Sequence, residues 1–179
     1  MTQIGLGWVS VCYGNGMGEC PVPPSHVSVS CSGDTSDDMS VANAGVTSSI
    51  LLSGLTPSFT LNGLPGAIVT GLAAVTMNVS TNNLGRYAVT VLAATRFLSA
   101  TDAGNPDSIP IAALQVRESA EGDNGSFTSL SDAGSVSVHT QGVRSAEGGD
   151  ALSNDYRVTI PFVAEDTYAV TLNYIATTL

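Results

Sequence analysis

The chain predicts an all-β fold, an antiparallel β-sandwich of the immunoglobulin-like or jelly-roll-like kind, preceded by an irregular N-terminal arm. Three observations predict it. Apolar and polar residues alternate with period two in one segment after another. Gly, Pro, Asn and Asp punctuate those segments at short intervals. No stretch of about 12 residues carries an apolar repeat of 3.6 residues, so helices are not expected. The arm is assigned to residues 1–38 and the sandwich to 39–179.

The arm is rich in Gly and Pro and holds all 3 cysteines and the 1 tryptophan. Tyr13-Gly14-Asn15-Gly16 and Cys20-Pro21-Val22-Pro23-Pro24 are turn and polyproline punctuation. His26-Val27-Ser28-Val29-Ser30-Cys31 alternates as a short strand, and Ser32 to Asp38 reads as a flexible joint. The sandwich segments then follow in order. Thr47 to Leu52, Ser58 to Leu61 and Ala67 to Val69 are expected strands, the last after a Gly63-Leu64-Pro65-Gly66 turn. Ala74 to Ser80 and Tyr87 to Ala93 are expected to pair as a hairpin, with Val75, Met77 and Val79 on one face. Ile109 to Val116, Phe127 to Leu130 and Val136 to His139 are later strands. Tyr156 to Val163 and Thr167 to Ile175 are expected to close the fold as a second hairpin. Pro110 and Pro161 suggest edges or bulges where they fall.

Composition bounds the function. The 179 residues are enough for one well-cored domain with an arm. Only 11% are charged and mean hydropathy is +0.25, which excludes a disordered chain. Net charge is −10 and pI about 4.1. All 5 basic residues are Arg. Such a balance argues against nucleic acid, which needs a basic patch, and against anionic membrane surfaces. No apolar run of about 18 residues predicts a membrane span. The first residues have no basic stretch followed by a clean apolar one, so no secretory signal is read there.

Catalytic motifs are not found. There is no Gly-x-Ser-x-Gly, P-loop or His-Glu-x-x-His pattern, and His26 and His139 stand alone in alternating strands. No enzyme activity is expected, and no catalytic residue is assigned. Cys12, Cys20 and Cys31 match no zinc spacing. Reduced cysteines, one disulfide within the arm and an intermolecular or metal bond all remain open, with Cys12 and Cys31 the candidate pair. Calcium is the candidate cofactor, through oxygen-rich loops. The clusters are Asp34, Asp37 and Asp38; Asp102, Asn105 and Asp107; and Asp150, Asn154 and Asp155. Asp102, Asn105 and Asp107 are the candidate ligands, although turn formation accounts for Asp and Asn at such places. The apolar, uncharged run Ile4-Gly5-Leu6-Gly7-Trp8-Val9-Ser10-Val11 is the candidate assembly element. Ile4, Leu6, Trp8, Val9 and Val11 would add to a neighbour's sheet edge or fill its groove.

Leu72 to Ala93, with its Asn-rich turn and Arg86-Tyr87 strand, and Leu152 to Val163 resemble WxL-type β-sandwich domains of Gram-positive surface proteins. Small secreted actinobacterial relatives are the nearest in kind, and the terminal Tyr168, Leu172 and Tyr174 strand shares the pattern. The likeness covers residues 45–179 and implies a sandwich with peptidoglycan binding. The defining Trp-x-Leu is absent: Tyr174-Ile175-Ala176 takes its place. Similar sandwiches also occur on the outside of phage virions. The leading expectation is therefore a structural protein on the exterior of a large assembly, a virion decoration held by its arm. It would be homo-oligomeric or particle-bound, partnered by copies of itself or by capsid or surface-layer subunits. The alternative is a secreted adhesion or glycan-binding module at a cell surface.

Overall fold

In the computed structural model, which describes residues 40–179, the alternating segments form eleven strands and no α-helix. In chain order they are β1 (Ile50–Ser53), β2 (Ile68–Thr81), β3 (Tyr87–Ala93), β4 (Phe97–Ala100), β5 (Ser108–Pro110), β6 (Leu114–Glu118), β7 (Thr128–Ser129), β8 (Val136–Gln141), β9 (Asp150–Thr159), β10 (Tyr168–Ala169) and β11 (Leu172–Thr178). One sheet has the order β1-β2-β9-β6-β7, a second β11-β3-β8, and a third β10-β4-β5. Every pairing is antiparallel. Residues from Gly45 onward make one compact unit.

Alternation explains the layering. β2 buries Val75, Met77 and Val79, β6 Leu114 and Val116, and β9 Tyr156 and Val158. From the second sheet β3 buries Tyr87, Val89, Val91 and Ala93, and β8 buries Val138. These residues form one apolar cluster, joined by Leu98 and Ile109 from the third sheet. Each such side chain is worth about 1.5–3 kcal/mol when fully buried. The outward positions of the second half of β2 are Thr76, Asn78 and Ser80, and Thr suits a pleated surface.

Two tyrosines cross the core. Tyr156 of β9 and Tyr174 of β11 meet hydroxyl to hydroxyl at 2.5 Å. Tyr156 also stacks on Phe59, with centroids 4.6 Å apart. Replacing Tyr174 by Phe is expected to leave the Tyr156 hydroxyl buried without a partner, at about 1–3 kcal/mol. The double change Tyr156→Phe/Tyr174→Phe should recover most of that loss. Urea unfolding of the three variants measures the coupling; equal and additive losses would show that the pair does not interact.

Both predicted hairpins are corrected by the topology. β2 pairs with β1 and β9, whereas β3 pairs with β11 and β8. The connector after Thr81 therefore carries the chain from one sheet to the facing one. The reason is the apolar faces: Val75, Met77 and Val79 can bury against Tyr87, Val89 and Val91 only across the layers. Neighbours in one sheet would leave that face for other strands to cover. The Asn-rich connector is tied down by its own amides. Asn82 accepts from the Ser49 amide at 2.8 Å and donates to the Thr47 carbonyl at 2.7 Å. Likewise β9 is not paired with β10 or β11, which join β4 and β3 instead.

Smaller differences have local causes. Ile109 to Val116 is not one strand. Pro110 ends β5, and Ile111–Ala113 form a 3-10 turn before β6. Ser58 to Leu61 makes no ladder, although Phe59 and Leu61 pack against the core. Ile68, Val69 and Ala74 to Ser80 lie in the single strand β2, interrupted by a bulge between Gly71 and Val75, and Ala67 lies just before it. β4 was not expected at all.

Candidate functional site

Polar side chains gather at three places. The first is the β2 bulge, where Asp155 of β9 stands opposite Leu72, Ala73 and Ala74. Ala73 has φ +46°, a region an L-residue enters only when its surroundings hold it there. Its amide donates to Asp155 Oδ1 at 2.8 Å. Ser119 Oγ donates to the same oxygen at 2.5 Å, and Arg117 Nε to Oδ2 at 3.0 Å. Asp155 is 3% exposed. Burial by itself would raise its pKa, but the bonds from Ser119, Ala73 and Arg117 outweigh it and hold the carboxyl below its usual range. Arg117 and Arg157 lie over the Phe127 ring at 4.6 and 4.2 Å, and Arg157 also grips Gln115 Oε1. This cluster holds the scaffold in place.

The second place is a cleft where β6 and β7 of the five-stranded sheet face β8 of the other. It measures about 300 Å³ and is lined by Glu118, Glu121, His139 and the hydroxyls of Ser126, Thr128, Ser137 and Thr140. Val116 and Val138 also line it. His139 Nδ1 and Glu118 Oε1 meet at 2.7 Å and so bridge the two sheets. His139 Nε2 is buried and has no hydrogen-bond partner. Beside it the Tyr87 ring lies 5.5 Å away, and the Tyr87 hydroxyl donates to Asp150 Oδ2 at 2.6 Å. Glu121 folds over Gly125: a Cβ at residue 125 would meet Glu121 Cβ and Oε2 at 2.5 Å.

The third place is the loop between β4 and β5, which carries the calcium candidates Asp102, Asn105 and Asp107. Their oxygens serve the loop itself. Asp102 Oδ1 accepts from the Gly104 amide, Asn105 Oδ1 from the Asp107 amide, and Asp107 Oδ2 from the Ala164 amide. Asp166 staples the loop by accepting from Thr101, Asp102, Asn105 and Thr167. Desolvation would raise its pKa, but the donors from Asn105, Thr101, Asp102 and Thr167 together outweigh it and lower the pKa to about 2. Asp150, Asn154 and Asp155 all lie on β9, but Asp150 turns to Tyr87 and Asp155 to Arg117. Among the described residues no three His, Cys, Asp or Glu side chains converge as a metal site would require. The arm residues Ile4, Leu6, Trp8, Val9 and Val11, the cysteines Cys12 and Cys31, and Asp34, Asp37 and Asp38 lie outside the described residues.

Among the exposed apolar residues, three lie near one end of the β2–β9 ladder. The turn at Leu64 to Ala67 is locked to β9 by Gly66 N to Ile160 O at 2.8 Å and Ile160 N to Ala67 O at 3.0 Å. Gly66 adopts φ +83°, which the turn requires and glycine supplies without strain. The turn brings Leu64 and Ile68 to the end of the β2–β9 ladder, two residues from which Phe162 projects. Their exposures are 79%, 67% and 95%.

No family model matches the chain, and no curated protein matches it.

Sequence reasoning placed His139 in a strand but found neither Glu118 nor the cleft. The two residues are 21 positions apart and on different sheets. No local spacing encodes such a pair; only the pairing of β6 with β9 and of β8 with β3 brings it together. The apolar tip was not singled out either, since Leu64 reads as part of a turn and Phe162 as part of the expected strand Tyr156 to Val163.

Proposed function

We propose that the chain is a non-enzymatic structural protein, displayed on the exterior of a large assembly and held there by protein contacts. A phage virion is the setting, with the N-terminal arm as anchor and copies of the chain or capsid subunits as partners. The observation that carries this reading is the Leu64, Ile68 and Phe162 tip. Its side chains are uncharged and exposed, and backbone hydrogen bonds fix the turn of Leu64 to Ile160, two residues before Phe162. Exposed apolar patches on a rigid scaffold mark contact sites. The mild acidity keeps the rest of the surface soluble.

Two measurements test it. Sedimentation of the full chain is expected to show a multimer that reverts to monomer when residues 1–38 are deleted. A sharp monomer peak unchanged by the deletion would sink the proposal. Phe162→Asp should leave unfolding stability within about 0.5 kcal/mol, because the side chain packs against nothing it would lose. The same change should weaken association roughly 30-fold, the loss of about 2 kcal/mol that follows truncation of an aromatic anchor.

A further inference from the structure

The cleft between β6 and β8 has an unbalanced hydrogen-bonding complement. Glu118 and Glu121 are acceptors only, and Glu118 commits a single oxygen to His139. The four hydroxyls of Ser126, Thr128, Ser137 and Thr140 can donate or accept. The one guanidinium in the lining, Arg117, is directed to Asp155 Oδ2 and to the Gly125 carbonyl. Acceptors therefore exceed donors, and the charge facing the cleft is negative. Val116 and Val138 back the same cleft but are 1% and 4% exposed, so an occupant meets mainly polar side chains. A cavity of about 300 Å³ is at the small end of ligand pockets. This combination suits one kind of occupant: a cationic head with several N–H donors.

We propose that the cleft receives a protonated amine or guanidinium, presented as the Lys or Arg side chain of a partner protein. The inference rests on the reading of the chain as a partner-binding structural module, and it names the chemistry of that partner. The composition points away from a second copy. The chain has no Lys, residues 1–38 contain no Lys or Arg, and its few exposed cations, Arg86, Arg96 and Arg144, are outweighed by 15 acidic residues. A net charge of −10 also favours a basic partner over another acidic one.

The test is an NMR titration of the full chain with Nα-acetyl-lysine amide and Nα-acetyl-arginine amide. Nα-acetyl-norleucine amide serves as the uncharged control and spermidine as a free polyamine. Saturable amide shifts confined to Glu118 to Gly125 and Ser137 to Thr140 are expected with the two cationic amides and not with norleucine. Glu121→Gln, at an exposed position that touches no core residue, should weaken binding at least 5-fold, and Glu118→Gln should do the same with a changed His139 imidazole signal. Gly125→Ala, which displaces Glu121, should mimic Glu121→Gln. Absence of localised shifts at about ten times a 1 mM Kd overturns the proposal. So do equal shifts with norleucine, or unchanged affinity in both Glu variants. Spermidine binding more tightly than the capped amino acids would overturn the protein partner in favour of a free polyamine. None of these outcomes involves Phe162 or residues 1–38, so this test and the association test fail separately.

Discussion

Replacing Asp155 by alanine is expected to destabilise the fold by about 3–5 kcal/mol, a large part of what holds a domain of this size together. Three donors lose their acceptor at once. Arg117, whose side chain is 8% exposed, loses its 3.0 Å ion pair with Asp155 in a poorly hydrated place. The Ser119 hydroxyl loses a bond of 2.5 Å. The Ala73 amide is released while its residue sits at φ +46°, so the bulge loses the restraint that keeps it there. Asp155→Asn should cost less, since a neutral oxygen can still accept from Ala73. The same group makes stability acid-sensitive. Its pKa is lower in the folded state, so its contribution is present above the unfolded carboxyl pKa of about 4 and is lost as pH falls through the folded value. Urea midpoints of wild type and Asp155→Asn at neutral and acid pH test both statements. The difference between the two proteins should shrink on acidification; a constant difference would remove the ionised Asp155 from the account.

Alkaline unfolding is the second large effect. Tyr87, Tyr156 and Tyr174 all have phenols raised above the ordinary value of 10. Burial is the main cause in each. Tyr87 is raised further because its proton is donated to Asp150, and Tyr174 because Tyr156 lies against it. Tyr156 moves up to about 12. A raised folded pKa means that the folded state keeps protons which the unfolded state gives up. Stability is therefore fully present below pH 10 and is lost as pH rises above it. Three such groups give a slope of about 4 kcal/mol per pH unit, at 1.36 kcal/mol for each proton. Phenolate absorbance should consequently rise together with loss of the β-sheet circular dichroism signal, in one cooperative step above pH 10. If the tyrosines titrate independently near pH 10 while the sheet signal persists, the phenols are not protected and the prediction fails.

These effects show where the sequence was informative. The period-two pattern identified β3 residue by residue, because Tyr87, Val89 and Val91 alternate with Ala and Thr and the flanking Gly85 and Ala94 to Arg96 break the run. It also identified the all-β class and the inward set Val75, Met77 and Val79. It could not identify partners. An apolar face specifies that it must be covered, not by which strand, and two faces separated by a short polar connector can meet across a sandwich or lie side by side. β4 was missed because Phe97-Leu98-Ser99-Ala100 is short and its alternation covers a single buried residue, Leu98. Asp155, Glu118 and His139 were opaque for a different reason. Their environments are made by strands distant in sequence, and a carboxylate in an alternating segment reads as an outward-facing surface group until its neighbours are known. In the calcium candidates, turn chemistry and ligand chemistry use the same residues, and only the direction of each oxygen separates them.

The crossing of the chain between layers also bears on how the protein is made. β2 finds its long partner only in β9, with Ile68 opposite Thr159, and β3 finds its own in β11, with Tyr87 opposite Thr178. During synthesis these two central strands emerge long before the segments that complete them. Their valine-rich faces wait without cover, and the closing loops are long, which slows folding relative to a meander of hairpins. Maturation is thus a late event that follows the emergence of β9 and β11, and until then β2 and β3 are the segments most in need of protection from other nascent chains.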